Sequence, residues 1–284
     1  MNLGIDLGGT FVKFYSPEEK GKVPTPKERE KLIELVAGLV KEFRPERVGI
    51  AVAGLTLYPV GKVVESPNLP FLNGLNLREE VKRLTKVEPL VVNDATAAAY
   101  GEYEAGAGEG ESSFLCLTLG TGLGGGAVIE GKPLLGSRGL AMEAGHLTVC
   151  LNGWPCHCGR KGCLEAYASS YGLERHYFLV TGKKRSSFEV VELAKRGQEE
   201  AKRAVKQMAF YLSVGITSLA HLFNPEKVVL SGGIVAHYPE LLKLVEEGVK
   251  ERAFKATAEK LKVVGARLGE YSGAVGAYLM ALLQ

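Results

Sequence analysis

A chain of 284 residues is long enough for one large domain or two medium ones with complete cores. Its 46% hydrophobic and 24% charged residues are those of an ordinary globular enzyme, and a net charge of +3, from 35 basic against 32 acidic side chains, gives no reason to expect a nucleic-acid partner. The longest apolar stretch, 208–223, is broken by Ser213, Gly215, Ser218 and His221 and falls short of the roughly 20 residues of a membrane span; with no charged leader before the first strand-like run, the chain is expected in the cytoplasm, away from the membrane.

Residues 3–7 form a short apolar run ending in Asp6-Leu7-Gly8-Gly9-Thr10, and 11–15 reads as a second strand. Strand, diglycine, strand predicts a tight hairpin whose backbone N–H groups are bare enough to approach a phosphate; a plain β-turn is the competing reading. Leu32, Leu35, Val36, Leu39, Val40 and Phe43 fall at helical spacing and predict an amphipathic helix over 27–43. A strand over 47–53 closing at Gly54 follows, then a short helix capped by Asn76 and a buried strand over 89–92. That strand delivers Asn93 and Asp94 to the start of an Ala-rich helix, at a sheet edge of the kind where α/β proteins bind ligands. Asp is also a favoured helix cap, and the two roles can coexist. The Gly- and Glu-rich stretch 104–113 reads as a linker. It divides the chain into a smaller α/β domain over 1–112 and a larger one over 113–284, with a closing helix from about 271 able to pack back on the first.

Beyond the linker the opening pattern recurs. A strand over 113–119 runs into Gly120-Thr121-Gly122-Leu123-Gly124-Gly125-Gly126, read as the turn, with a return strand over 127–129, as an internal duplication would show. Helices over 188–196 and 198–223 precede Asn224-Pro225, which stops the second. A strand over 227–230 then ends in Ser231-Gly232-Gly233, the counterpart of Ala53-Gly54, and a helix over 238–251, a strand over 262–265 and a helix over 272–283 close the chain.

Between the two glycine-rich regions of this second half lies 142–165. Cys156, Cys158 and Cys163 have the spacing C-x-C-x4-C, with Gly159 and Gly162 allowing the tight turns that bring sulfurs together, and His146 stands upstream. Three thiolates and one imidazole make a closed tetrahedral zinc site, structural because no position is left for water. The alternative is one disulfide and a spare thiol, disfavoured in a reducing compartment. His157, between two ligands of an extended C-x-C, is expected to point away, and Cys116 and Cys150 to be small buried hydrophobes. Folding around the metal also fixes Glu143 and Glu165. With the free edge of the His146 ring they suit a polyhydroxylated ligand; the competing reading is two solvated surface charges.

Three Gly-rich turns after strands, in two related halves with Asn93-Asp94 between them, resemble the sugar kinase and actin-like ATPase superfamily. Glu143-Ala144-Gly145-His146 and the run from Cys156 to Glu165 are similar to the E-x-G-H and C-x-C-G-x2-G-C-x-E of the ROK family of sugar kinases and related repressors. The resemblance implies an α/β fold, a two-domain actin-like (ribonuclease H-like) duplication with a structural zinc loop. It implies ATP-dependent phosphorylation of a hexose, glucose first, with N-acetylhexosamines and fructose as alternatives and a non-catalytic sugar sensor as the rival class. Asp94 would match the catalytic base, and Asn68, Asn93, Glu143, His146 and Glu165 the sugar contacts. Gly8, Gly9 and Thr10 with Gly120, Thr121 and Gly122 would be the two phosphate loops, Asp6 would hold Mg2+ through water, and Gly232 and Gly233 would border adenosine. Family members are commonly dimers or tetramers, so a homodimer or homotetramer is expected. Repressors carry a DNA-binding domain before the first glycine turn, and here that turn begins almost at Met1, which ranks the repressor low. The chain departs from the family at Phe11, where Lys is frequent, and at Phe71-Leu72-Asn73-Gly74, where an aromatic commonly follows the Pro-Asn-Leu segment.

Overall fold

The computed structural model describes residues 1–283. In chain order the elements are β1 (Asn2–Leu7), β2 (Phe11–Tyr15), β3 (Lys20–Pro24), α1 (Arg29–Phe43), β4 (Arg47–Val52), β5 (Leu55–Leu57), β6 (Lys62–Glu65), α2 (Leu77–Thr85), β7 (Leu90–Asn93) and α3 (Asp94–Ala105). There follow β8 (Ser113–Leu119), β9 (Leu123–Ile129), β10 (Lys132–Pro133), α4 (Glu165–Ala168), α5 (Ser170–Thr181), α6 (Ser187–Lys195), α7 (Glu199–Phe223), β11 (Lys227–Ser231), α8 (Gly233–His237), α9 (Glu240–Arg252), α10 (Lys255–Ala258), β12 (Lys262–Gly265) and α11 (Ser272–Ala281). The chain forms two compact units: residues 1–109 with 126–142 and the segment from Leu268 onward, and residues 110–125 with 143–267.

The two main sheets repeat one plan. Their strand orders are β3-β2-β1-β4-β7 and β10-β9-β8-β11-β12, so a meander of three strands is followed by two parallel crossovers in each. In the first, β1 pairs antiparallel with β2, placing Leu7 opposite Val12, and parallel with β4, placing Leu7 beside Val52. In the second, β8 pairs parallel with β11, from Phe114 beside Lys227 to Thr118 beside Ser231. Gly54 and Gly232, just beyond β4 and β11, take left-handed φ values of 126° and 114°. An L side chain is strained there, so both strands are followed within two residues by a glycine of positive φ.

Strands covered on both faces read as near-continuous apolar runs, and β1 shows why. Leu3, Ile5 and Leu7 are fully buried in a cluster with Leu32, Val36 and Val40 of α1. The opposite face presents Gly4 and, on β4, Gly49. A Cβ there would fall 2.0 Å from the Ala274 carbonyl oxygen and 1.8 Å from that of Ala277. The backbone of α11 therefore lies directly on the sheet, which accounts for a helix so rich in Gly and Ala. Its first turn is fastened to the end of α3 by the fully buried Glu102, whose carboxylate accepts from Ala107 N–H at 3.0 Å, Leu268 N–H at 2.8 Å and the Ser272 hydroxyl at 2.9 Å.

Several elements differ from the periodicity reading. β3 was not anticipated, because Lys20-Gly21-Lys22-Val23-Pro24 is a largely exposed edge strand with only Val23 to mark it as apolar. β9 begins at Leu123 instead of 127. Its glycines look like turn residues, yet a Cβ on Gly126 would meet the Ala95 carbonyl oxygen at 2.6 Å, so this one is a strand glycine kept bare for close approach to α3. The β5–β6 hairpin and helices α4 and α5 also lacked a clear signal. Among the described residues, no helix is long and apolar enough to cross a membrane.

Gly49→Ala is expected to destabilise the first unit by about 3 kcal/mol, because a methyl forced against α11 backbone cannot be relieved by a rotamer change. Urea denaturation followed by circular dichroism tests this; an unchanged midpoint would mean that α11 is not held against β4.

Candidate functional site

In the first unit, the turn Gly8-Gly9-Thr10 between β1 and β2 is closed by Gly8 N–H donating to the Phe11 carbonyl at 3.2 Å, and Thr10 faces solvent. The segment after β3 straps this turn from outside. The Thr25 hydroxyl donates to the Gly8 carbonyl at 2.7 Å, Thr25 N–H to the Thr10 carbonyl at 2.9 Å, and the Lys27 ammonium to the Gly9 carbonyl at 2.6 Å. Asp6 points away from the α1 side, toward α11, where Gly273 leaves room for its carboxylate: a Cβ at that position would be 2.9 Å from it. Burial pushes the Asp6 carboxyl up to about 6, with the positive charge of Lys13 opposing. A carboxyl raised by desolvation gains most from a nearby cation.

Asn68 is exposed and stands against the same turn, its Cβ 3.2 Å from where a Cβ on Gly9 would be. Its loop is pinned by Asn73, which accepts from Ser66 N–H at 2.8 Å, while the Ser66 hydroxyl donates to the Ala53 carbonyl and accepts from Leu69 N–H. The residue occupying part of the departure from the family pattern is thus a brace for the Asn68 loop. At the end of β7, Asn93 caps α3 by accepting from Thr96 N–H at 3.0 Å and donates to the Gly54 carbonyl at 3.0 Å. The cap is Asn93 and not Asp94, which leaves Asp94 as the first helical residue, its Oδ1 accepting from Ala95 N–H at 2.9 Å and from the Asn93 amide at 3.2 Å.

In the second unit, Gly120-Thr121-Gly122 is a tighter turn, Gly120 N–H donating to the Gly122 carbonyl at 2.9 Å, and Thr121 is exposed like Thr10. A cavity of about 220 Å³ adjoins it, lined by Leu119, Gly120, Phe188, Gly233, Ile234 and His237 among others. Phe188 and His237 meet edge to face there with centroids 5.6 Å apart, and Phe188 remains 59% exposed, an aromatic surface left available to a planar ligand. Gly233 lines this cavity. Phe188, Ile234 and His237 carry no motif, and only the fold makes them neighbours of the glycine turn.

His146, Cys156, Cys158 and Cys163 converge, with one ligand atom from each lying within 4.8 Å of all the others. The Cys158 and Cys163 sulfurs are 3.7 Å apart, and Cys156 Sγ is 3.9 Å from His146 Nδ1. A tetrahedron with zinc–sulfur bonds of about 2.3 Å has sulfur–sulfur edges of about 3.8 Å, so the donor set and its spacing fit zinc. A disulfide, at about 2.05 Å, does not fit, and no disulfide forms among the described residues. Burial pushes the Cys156 thiol up to about 12, so the thiolate needs a cation among its neighbours. His157 is exposed, with its ring against Tyr171 at 4.2 Å, and takes no part. Glu143 faces solvent beside His146; partial desolvation raises its carboxyl, the His146 charge opposes and Glu165 adds to the rise. Glu165 is buried, accepting from Leu123 N–H at 3.0 Å and from the Tyr171 hydroxyl at 3.2 Å.

Behind this Cys3His group is an aromatic stack. Trp154 lies on Tyr167 at 4.4 Å, Tyr167 on Tyr211 at 4.1 Å, and Arg175 over Trp154 at 4.3 Å. His176 packs on Trp154 at 4.8 Å, and its Nε2 is 3.0 Å from the Tyr167 carbonyl, to which it donates when neutral.

Residues 2–283 match the family model described as ROK family. A glucokinase of Streptomyces coelicolor is 31% identical, over 98% of this chain and 96% of its own length. Among solved structures, a ROK hexokinase from Thermus thermophilus superposes with a TM-score of 0.90 at 34% identity, covering 99% of this chain and 97% of that one. A ROK family glucokinase from Streptomyces griseus, in complex with glucose and AMPPNP, gives a TM-score of 0.84 at 30% identity, covering 100% of this chain and 99% of that one.

Burial lowers the His176 pKa to about 4, below the value of about 6.5 expected in the unfolded chain. The unfolded state then binds more protons, so this contribution is complete above pH 6.5 and is lost as pH falls toward 4. Between pH 7 and 5 it should cost about 2 kcal/mol of stability. Denaturant titrations at both pH values should show a smaller pH difference for His176→Phe than for the wild type; equal differences would place His176 elsewhere than in the stack.

Proposed function

This chain belongs to the ROK family, and we propose that it transfers the γ-phosphate of ATP to a hexose hydroxyl, the 6-hydroxyl of glucose first. The observation that carries this reading is the pair of solvent-facing Gly-Thr turns at equivalent places in two sheets of the same strand order. Phosphoryl transfer asks mainly for positioning and charge neutralisation, and bare backbone N–H groups supply both.

Asp94 is the base that accepts the proton of the attacking sugar hydroxyl. Its place at the start of α3, with one oxygen held by Ala95 N–H and the Asn93 amide, supports this role by fixing the direction of the carboxylate. Asn68, Asn93, Glu143, His146 and Glu165 contact sugar hydroxyls. Gly8, Gly9 and Thr10 with Gly120, Thr121 and Gly122 cradle phosphates, and the Phe188–His237 cavity beside Gly233 takes the adenine ring. Mg2+, when bound, would neutralise phosphate charge; Asp6, raised by burial, is the carboxylate set to hold it through water. His146 and the three cysteines hold a structural zinc, which keeps the Glu143 and Glu165 segments in place.

A coupled assay of ADP release against glucose, mannose, fructose, N-acetylglucosamine and N-acetylmannosamine tests the reading. Strong turnover on glucose supports it, preference for an acetylated sugar moves the function to amino-sugar phosphorylation, and silence on all five from folded protein overturns it. Asp94→Asn is expected to keep glucose affinity within about threefold, because the amide oxygen can still accept from Ala95 N–H, while kcat falls by about 10² to 10⁴. A near-normal kcat would remove Asp94 as the base.

A further inference from the structure

The carboxylate of Glu165 is engaged inside the second unit. It is 9% exposed; Oε2 accepts from Leu123 N–H at 3.0 Å, and Oε1 accepts from the Tyr171 hydroxyl at 3.2 Å and lies 3.4 Å from Cys156 Sγ. Leu123 is the residue directly after Gly120-Thr121-Gly122, and a Cβ built on Gly122 would approach the same Oε2 to 2.7 Å. From another side Gly145, next to His146, presses on Leu123 so closely that a Cβ there would lie 2.0 Å from the Leu123 carbonyl oxygen. At the turn's other end, Ser170 N–H donates to the Gly120 carbonyl at 2.9 Å.

These external holds on the turn come from Glu165 itself, from Gly145 beside His146, and from Ser170 five positions after Glu165. Beyond its own Gly120–Gly122 backbone bond the turn has no side chain to fix it, since two of its three residues are glycines and Thr121 faces solvent. A backbone N–H bonded to a carboxylate at low exposure is a charge-assisted bond, among the stronger ways to fix one peptide. Tyr171 completes the link by donating to Oε1 while its hydroxyl sits 3.7 Å from Cys156 Sγ.

We propose that Glu165 is a positioning residue that couples the Cys3His knot to the second phosphate turn, so that nucleotide affinity, and not only sugar affinity, depends on the knot. The proposal rests on reading Gly120-Thr121-Gly122 as a phosphate turn of an ATP-dependent kinase. A carboxylate offers about four lone-pair positions, so the brace leaves room for a sugar hydroxyl on the same group.

The test is calorimetric titration of Mg-ADP into sugar-free full-length protein, where a residue that touches only sugar moves nothing. Glu165→Ala is expected to weaken Mg-ADP by about 10- to 100-fold, the loss of a hydrogen bond to a charged group. Glu165→Gln is expected to stay within about threefold of the wild type, because its amide oxygen can accept from Leu123 N–H while its NH2 donates to Tyr171 Oη and Cys156 Sγ. Stripping zinc from the wild type with a selective chelator, followed by gel filtration into Mg-containing buffer, should weaken Mg-ADP in the same direction as Glu165→Ala. If Glu165→Ala does not fold, Tyr171→Phe, which removes only the hydroxyl on Oε1, carries the comparison with an expected weakening of about threefold, on the low side for one lost bond. Folded Glu165→Ala with wild-type affinity overturns the coupling, as does zinc-free protein with unchanged affinity. Glu165→Gln as weak as Glu165→Ala would overturn the brace in favour of a purely electrostatic effect. A wild type that binds no Mg-ADP at all would sink the reading of the turn itself, and the inference with it.

Discussion

Glycine-rich turns expose bare backbone in both sheets, and a turn built of glycines has few side chains with which to fix itself. The shape of such a turn has to come from its surroundings, or the ordering cost falls on the ligand. In the first unit the strap is the segment after β3, where Thr25 and Lys27 hold the carbonyls of Gly8 and Gly9. In the second it is the chain on either side of the Cys3His group, through Gly145, Glu165 and Ser170. The neighbouring loops follow the same rule, with Asn73 and Ser66 pinning the loop that carries Asn68. Much of what looks peripheral in this protein is scaffolding for short pieces of bare backbone.

The duplication is therefore close in topology and divergent in support. Both sheets share one strand order, and Gly54 and Gly232 leave their strands with the same backbone sign. The first turn needs only a short edge strand, because β3 pairs with β2 and delivers Thr25 beside Thr10. The second is supported by a long polar loop whose buried cluster is small: Cys156, Cys163, Ala166 and Tyr167. That cluster is backed by the stack of Trp154, Tyr167 and Tyr211, and a metal held by the Cys3His group, as proposed above, would cross-link the loop further.

Asp6 lies within β1 and Asp94 directly follows β7, both strands of the first sheet, yet their surroundings differ. Asp6 is sunk against Gly273 of α11, where burial raises its pKa. Asp94 heads a helix, released from the capping role by Asn93 and aimed by hydrogen bonds to one oxygen. The cation-holding and proton-accepting roles proposed for them make different demands, and the two carboxylates stand in different local environments.

The sequence alone was enough to show most of the strands and long helices, the recurrence of strand, Gly/Thr turn, strand, and the four residues that converge as a Cys3His group, because these rest on local rules: side-chain periodicity, the conformational freedom of glycine and the spacing of sulfur donors. It also placed Asn93 and Asp94 at a strand-to-helix junction, though not which of them is the cap, a choice made by the reach of one side chain to Thr96 N–H. It could not show that Gly126 is a strand residue, that Gly4 and Gly49 exist to admit α11, or that Phe188 and His237 share a cavity with Gly120, since each depends on a partner distant in the chain. Nor could it tell a solvated Glu165 from a buried one. That was decided by the tertiary structure, which brings a carboxylate, the amide of Leu123 and the Cys156 sulfur within hydrogen-bonding reach, and reach in space is what spacing along a chain does not record.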